Sequence, residues 1–267
     1  MHASFPQLLR QFRQRLGFSQ QALSEAAGLS QRHLSFMESG KSAPSRQMVI
    51  RLSECLKLPL AHSNELLLAA GFASEYPRRM LEEEAMSPIR DALKVAIKHH
   101  EPYPAYVLDR NWNVLLQNEA VNRLLAVIGP PDELWHATCG NGPRNLMRLT
   151  FHPAGLHPYI SNWPTLGPAL LDRVRQDVRA GADPALLRDL FSYGTVAARD
   201  HWPEPATSPV LSTNLNIGPF QLKLFSLLSK FAHPLDLTLD EIILETFFPA
   251  DAESAALIQV LTNATQA

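Results

Sequence analysis

The chain has 267 residues, which is enough for two domains of ordinary size. Hydrophobic residues make up 46% of it and charged residues 19%, a balance that excludes a disordered chain and is typical of globular domains. The two cysteines, Cys55 and Cys139, form no Cys-x-x-Cys pair, so the sequence indicates neither a thiolate zinc site nor a disulfide framework. No stretch of about 18 apolar residues predicts a membrane helix, and the first residues lack the pattern of a signal peptide. We therefore expect no membrane partner and a cytoplasmic location.

The formal net charge of −2 conceals a difference between the two ends of the chain. Residues 1–72 carry eight Lys and Arg residues against four Asp and Glu residues, whereas residues 101–267 carry eleven against seventeen. A basic N-terminal part attached to an acidic remainder fits a protein that presents one end to phosphate groups. The excess is small, so it supports nucleic-acid binding only in combination with a motif.

Residues 1–72 are predicted to form a compact all-α domain of five short helices. Apolar residues recur at helical spacing, as Leu8, Phe12 and Leu16 do in the first segment. Ser19 and Ser30 are placed to cap the second and third helices, and glycines follow the first and third. Residues 73–101, which are charged and helical in pattern, are predicted to be a connector.

Residues 102–267 are predicted to form a second domain of the α+β class with a mostly antiparallel sheet. A hairpin is predicted from strands at 104–109 and 114–117, followed by a helix that Asn118 can cap. The remaining predicted elements are helices around 144–150, 163–180 and 184–197, a loop at 203–209, strands at 210–217, 220–229 and 242–248, and a final helix at 252–263.

The helix predicted to begin at Gln31 has two different faces. At about 100° per residue, Leu34 and Met37 point together toward the core. The opposite arc is polar apart from one aromatic ring and comprises Gln31, Arg32, Ser35, Phe36 and Ser39. Amide, guanidinium and hydroxyl groups can bind the edges of bases, and an apolar ring can contact a thymine methyl group. Outside this helix, the predicted contacts to the DNA backbone are Gln20, Lys41 and Arg46.

The stretch 8–58 resembles the XRE family of helix-turn-helix proteins, also called lambda-repressor-like or Cro/C1. The resemblance rests on the patterns Ser19-Gln20-x-x-Leu23, Ala27-Gly28-Leu29-Ser30, Leu34-Ser35-x-x-Glu38-x-Gly40-Lys41 and Pro44-Ser45. It implies that Arg13 pairs with Glu38 and braces the first helix against the third. It also implies that Gln20, Gln31, Arg32 and Phe36 touch DNA. The alternative is a helical bundle whose polar face is merely solvated.

The second domain carries a further resemblance in the segments Pro104–Asn118 and Asn145–Pro153. Together with the upstream unit, they resemble MmyB-like regulators, whose C-terminal domain is PAS-like and binds a ligand. The resemblance implies a buried apolar cavity for a fatty acid or a similar ligand. Candidate lining residues are Leu149, Phe151, Trp163, Leu166, Leu170, Phe191 and Phe225.

A ligand carboxylate would need a fork-shaped cation, for which Arg148 beside Asn145 is the candidate. Two alternatives remain open for these residues. The apolar side chains could simply fill a core, and Arg148 could pair with an acidic neighbour or cap a helix.

The sequence does not indicate catalysis or a metal site. The ten histidines are scattered, and it contains no Gly-x-Ser-x-Gly elbow, phosphate loop or dinucleotide fingerprint. We therefore expect no enzyme activity, no metal and no cofactor beyond a bound apolar ligand. We predict a homodimeric transcription regulator that binds a double-stranded DNA operator and senses a small apolar ligand. The alternative for the second domain is a dimerisation or protein-docking scaffold without a ligand.

Overall fold

The computed structural model describes residues 3–195 and 210–264, and the chain divides into two compact units. Unit 1 comprises Met1–Met80 and Phe231–Asp240, and unit 2 comprises Leu81–Lys230 and Glu241–Ala267. The segment 231–240 falls within the range predicted for the second domain but packs in unit 1. None of the helices in the described ranges is both long and apolar enough to cross a bilayer.

Unit 1 contains the five predicted short helices. They are α1 (Phe5–Arg15), α2 (Gln20–Ala26), α3 (Gln31–Glu38), α4 (Arg46–Cys55) and α5 (Leu60–Ala69). Ser19 caps α2 by accepting a hydrogen bond from the Ala22 amide, and Ser30 caps α3 by accepting one from the His33 amide. The two capping serines therefore start the helices where the sequence predicts.

Gly28 makes the tight turn between α2 and α3. Its φ of +63° lies in the left-handed region, which a side chain would disfavour. A Cβ atom at this position would also lie 2.8 Å from Nη2 of Arg51. The turn folds the helices onto a core of fully buried side chains, which includes Leu9, Leu23, Leu34, Met37, Leu52, Leu66 and Leu67.

The segment 231–240 is held in unit 1 by polar contacts over a long sequence separation. Asp236 accepts a hydrogen bond from Nη1 of Arg79 at 3.1 Å, and the Thr238 hydroxyl donates to the Arg79 carbonyl at 2.5 Å. The amide of Leu60, at the start of α5, donates to Oδ2 of Asp240 at 3.1 Å. The short helix α12 (Leu237–Glu241) begins in this segment.

Unit 2 is built on a five-stranded antiparallel sheet within the described residues, in the order β2-β1-β5-β4-β3. The strands are β1 (Ala105–Leu108), β2 (Val114–Gln117), β3 (Ser212–Ile217), β4 (Phe220–Ser229) and β5 (Ile243–Pro249). The predicted hairpin and the three later strands are thus confirmed, as is the fold class of a helical domain followed by an antiparallel sheet with helices.

The helices of unit 2 are α6 (Ser87–His99), α7 (Glu119–Ala126), α8 (Pro131–Cys139), α9 (Leu146–Phe151), α10 (Trp163–Arg179), α11 (Pro184–Ser192) and α13 (Ala252–Ala264). The helix predicted for 184–197 ends earlier, at Ser192, and its residues 196–197 lie outside the described residues, as does the loop predicted at 203–209. α8 is not among the predicted helices, although Pro131 at its first turn and the acidic pair Asp132 and Glu133 are ordinary start signals.

Asn118 occupies the N-cap position of α7, but its side chain does not cap that helix. Its Oδ1 accepts a hydrogen bond from the Ala105 amide at 3.0 Å, and its Nδ2 donates to the carbonyls of Ile97 and Tyr103. The buried amide therefore joins the end of α6, the start of β1 and the start of α7.

Candidate functional sites

The α3 helix separates an inward face from an outward face. Leu34 and Met37 are fully buried in the core of unit 1. Gln31 and Arg32 are exposed, and Ser35 and Phe36 are half-buried on the other side. The arc that the sequence assigns to DNA contact is therefore the arc that α3 turns away from the core of unit 1.

Phe36 lies close to two cations on this outward face. The Arg32 Cζ atom is 5.2 Å from the ring centroid, and the Lys41 Nζ atom is 5.9 Å from it. Cations at such distances are attracted to the electron-rich face of an aromatic ring. An aromatic ring flanked by a guanidinium and an ammonium group forms a positively charged surface with an apolar centre.

Arg13 and Glu38 form a two-point ion pair between α1 and α3. The Arg13 Nε and Nη2 atoms donate to the two oxygens of Glu38 at 2.5 and 2.9 Å, and both side chains are almost completely buried. Burial alone would raise the pKa of Glu38, but the hydrogen bonds from Arg13 and Gln20 and the charges of Arg13 and Arg10 lower it below its usual value. The carboxylate is therefore ionised and fixed at neutral pH.

Two of the predicted backbone contacts have partners within unit 1. The Gln20 Nε2 atom donates to Oε2 of Glu38 at 2.8 Å. The Arg46 guanidinium pairs with Glu75, and both side chains of this pair are substantially exposed. Lys41, which follows α3, is exposed to solvent. Gln20 is thus oriented by the ion pair of α3, whereas Arg46 would have to leave Glu75 to reach a phosphate.

Three of the four aromatic candidates of unit 2 gather at one apolar core. Phe151 is completely buried in it, and the ring of Trp163 meets Phe151 edge to face at a centroid distance of 4.9 Å. Phe191 packs against the same cluster, with the Arg175 guanidinium 5.6 Å from its ring. The core also contains Tyr106, Leu108, Trp112, Val121, Leu125, Trp135, Leu149, Leu171 and Ile243. Of the other candidates, Leu166 belongs to a second apolar cluster, and Phe225 stacks on Phe248 at a centroid distance of 5.4 Å.

Asn145 and Arg148, the candidate carboxylate anchors, are both engaged in contacts within unit 2. Asn145 is buried at the N-cap of α9, where its Oδ1 accepts from the Arg148 amide and its Nδ2 donates to Asn111 and Asn113. The Arg148 Nη2 atom donates to Oδ2 of Asp189 at 2.6 Å. A ligand carboxylate would therefore have to compete with Asp189 for Arg148.

A further polar group in this core, Glu245 of β5, is absent from the sequence candidates. The residue is only 6% exposed, and its Oε2 has no hydrogen-bond partner among the described residues. Burial raises the pKa of Glu245 to about 7, against the opposing effects of a hydrogen bond from Ser226 and the charge of Arg173. The sequence does carry a signal, because Glu245 is the one charged residue in the largely apolar stretch from Ile242 to Phe248.

The described residues do not bring three or more His, Cys, Asp or Glu side chains together in a way that could hold a metal ion.

Comparison with known families assigns both parts of the chain. Residues 9–62 match the family described as helix-turn-helix, and residues 89–261 match the MmyB-like transcription regulator ligand binding domain. No curated protein matches the chain. The second match covers more than half of the chain. The chain therefore belongs to the MmyB-like transcription regulators, and it combines an N-terminal DNA-binding helix-turn-helix of the XRE type with a C-terminal ligand-binding domain.

Proposed function

We propose that the protein is a homodimeric regulator in which α3 reads the major groove of an operator and unit 2 binds a small apolar ligand. The observation that carries the DNA part is the outward surface of α3. Arg32 can pair with guanine, Gln31 can pair with adenine, and Phe36 can contact a thymine methyl group. Lys41, which lies between α3 and α4, and Arg46, the first residue of α4, are suited to contacts with phosphates.

A dimer would place two copies of α3 in successive major grooves. Helix-turn-helix dimers bind half-sites that lie about one helical turn, ~34 Å, apart. A ligand in unit 2 can alter DNA binding only if it binds two arrangements of the dimer with different affinity. The proposal thus requires coupling between ligand affinity and operator affinity that is equal in both directions.

The apolar core of unit 2 supports a ligand such as a fatty acid. Phe151, Trp163 and Phe191 would contact the chain, and Arg148 beside Asn145 would bind the carboxylate. Asp189 now holds Arg148, so the carboxylate would replace one anion with another rather than neutralise a free cation. The exchange would therefore contribute little affinity from charge and would leave the apolar contacts as the main source of binding.

The second candidate function for unit 2 is that of a scaffold for dimerisation or protein docking, with its core filled by its own side chains. Native mass spectrometry of the full chain, purified without added ligand, separates the two functions. A copurified mass in the range of a lipid, together with a thermal shift on adding fatty acids, supports the sensor. Absence of both, with no thermal shift on adding a fatty alcohol or an alkylamine either, supports the scaffold.

The DNA part is tested by selecting binding sites for the full chain from a pool of random duplexes. We expect an enriched palindromic site with half-sites one helical turn apart, protected in the major groove at each half-site. Light scattering should give the mass of a dimer. Selection of no sequence, with binding that depends only on salt, would contradict the proposal.

A further inference from the structure

Glu245 is a buried carboxyl group on the middle strand of the unit 2 sheet. It lies in β5, directly opposite Tyr106 on β1 and Leu228 on β4. Because alternate residues of a strand point to the same side, Glu245 shares its face with Ile243 and Phe247. Tyr106 and Ile243 belong to the apolar core, and Phe247 packs against it. The carboxyl group therefore points into the core that contains Phe151 and against which Trp163 and Phe191 pack.

The surrounding groups satisfy this carboxyl group only in part. Ser226 of β4 is its hydrogen-bond partner, while Oε2 has none among the described residues. Arg173 of α10 acts on it only through its charge, and the Arg173 Nε atom lies 3.6 Å from Asp177. Burial raises the pKa of Tyr106, and the nearby charge of Glu245 raises it further. A buried polar atom without a partner is costly, so a donor supplied from outside the chain would be stabilised here.

We infer that Glu245 binds the polar end of the ligand, and that this end donates a hydrogen bond, as a hydroxyl or an ammonium group does. The inference rests on the proposed ligand-binding function of unit 2, and it replaces the fatty acid considered above with an apolar ligand whose polar end is a hydrogen-bond donor. The apolar body of the ligand lies against Tyr106, Ile243 and Phe247. Oε2 of Glu245 accepts the hydrogen bond from the head group.

The chemistry of Glu245 discriminates against a carboxylate at this position. Two carboxylates within contact distance repel each other, and one must take up a proton before both can be accommodated. An alcohol donates to either protonation state of Glu245, and an ammonium group forms a charge-assisted hydrogen bond with the ionised state. A ligand whose only polar group is a carboxylate is therefore the poorer match for this end of the core.

Solvent reaches the sheet next to Glu245. Leu228, which is opposite Glu245 on β4 and on the same face, keeps 37% of its surface exposed. The following residue, Ser229, is also exposed and ends the strand. A ligand entering beside Leu228 would reach the carboxyl group of Glu245 within one strand spacing, about 5 Å.

Three probes with the same alkyl chain test the inference: decylamine, 1-decanol and decanoate. Each is titrated into the full chain by calorimetry at a pH above the pKa of Glu245. Tryptophan fluorescence follows the same titration, because all four tryptophans fall in the range of unit 2. We expect decylamine and decanol to bind at least about tenfold more tightly than decanoate, the ratio that one charge-assisted or buried hydrogen bond provides.

The variant Glu245→Gln keeps the size of the side chain and removes its charge. It should weaken decylamine binding by about tenfold or more and leave decanoate binding unchanged or tighter. Glu253→Gln, which removes an exposed carboxylate at the start of α13, is the matched control and should leave all three affinities unchanged.

Decanoate binding as tight as that of the other probes, or an equal effect of Glu245→Gln on all three, would overturn the inference. Tight decanoate binding would still leave the ligand-binding function intact. If none of the probes binds and the purified protein carries no copurified molecule, both the inference and the proposed sensor function are wrong.

Discussion

Gln20 on α2 donates a hydrogen bond of 2.8 Å to the carboxylate of Glu38 on α3. Arg13 on α1 forms a two-point ion pair with the same carboxylate. Three helices of unit 1 therefore meet at one buried anion. This arrangement positions the start of α2 relative to α3. These are the two helices that a helix-turn-helix must hold at a defined angle. The stability of unit 1 and the orientation of its DNA-binding surface thus depend on one side chain.

Arg13→Ala should destabilise unit 1 by about 3–5 kcal/mol, because it leaves the buried carboxylate of Glu38 without its cation. Arg10→Ala, on the same helix but exposed, should change the free energy of unfolding by less than about 0.5 kcal/mol. Urea denaturation of the full chain, followed by circular dichroism, measures the effect. The tryptophan transition reports unit 2 alone, since unit 1 has no tryptophan, and should not change. Equal effects of the two variants would contradict the structural role of the pair.

Arg32→Ala and Lys41→Ala should affect DNA binding in different ways. Loss of a guanidinium from a base edge should cost roughly 1–3 kcal/mol on the selected operator and relax the preference at one position. Loss of the Lys41 ammonium group should weaken binding to all sequences evenly and reduce the salt dependence by about one ion. Fluorescence anisotropy with operator and random duplexes at several salt concentrations separates these effects. If both variants bind both duplexes as the wild type does, α3 is not the reading helix.

Local signals were sufficient to predict most of the elements that carry these sites. Ser19 and Ser30 cap the helices that they were predicted to start, because a cap depends only on residues within one turn. The inward pair Leu34 and Met37 follows from helical periodicity alone. The strand β5 was likewise predicted from its apolar run, within one residue at either end.

Features that depend on distant partners could not be predicted in this way. The burial of Glu245 follows from the register that places it opposite Tyr106, which is set by sheet pairing rather than by local sequence. Asn145 donates hydrogen bonds to Asn111 and Asn113, more than thirty residues earlier in the chain. Asp236 accepts a hydrogen bond from Arg79, which is 157 residues away. Such contacts are decided by tertiary packing, on which periodicity carries no information.

Glu75→Gln should strengthen operator binding by up to about fivefold, because it releases Arg46 from its ion pair and removes a negative charge near the DNA. An exposed pair of this kind contributes about 0–1 kcal/mol, which sets the upper limit. Glu65→Gln, which removes an exposed carboxylate of α5, is the matched control. Anisotropy titrations of the two single variants, Glu75→Gln and Arg46→Ala, and of the double variant form a double-mutant cycle. A gain that persists without Arg46 would mean that the charge of Glu75, not its pairing, limits binding.

Glu245→Gln should make unit 2 more stable than the wild type in alkaline solution and equally stable in acid. Burial raises the pKa of Glu245 from an ordinary 4.5 to about 7 in the folded protein, so the folded state favours the neutral carboxylic acid. The carboxyl group therefore imposes no penalty below the unfolded pKa. The penalty grows as the pH rises from 4.5 and is complete above about 7. The difference between the two pKa values then corresponds to about 3 kcal/mol in the free energy of unfolding.

Urea denaturation of the full chain, followed by tryptophan fluorescence across this pH range, measures the difference between the variant and the wild type. Burial and the charge of Glu245 raise the pKa of Tyr106 on β1 above its usual value, so Tyr106 stays neutral across this range and adds no pH-dependent difference of its own. Arg173 on α10 is present in both proteins. Glu253→Gln should follow the wild type at every pH, because its carboxylate is exposed. A constant difference between Glu245→Gln and the wild type would mean that Glu245 does not change its charge between the folded and unfolded states in this range. The carboxyl group would then be ionised even in the folded core.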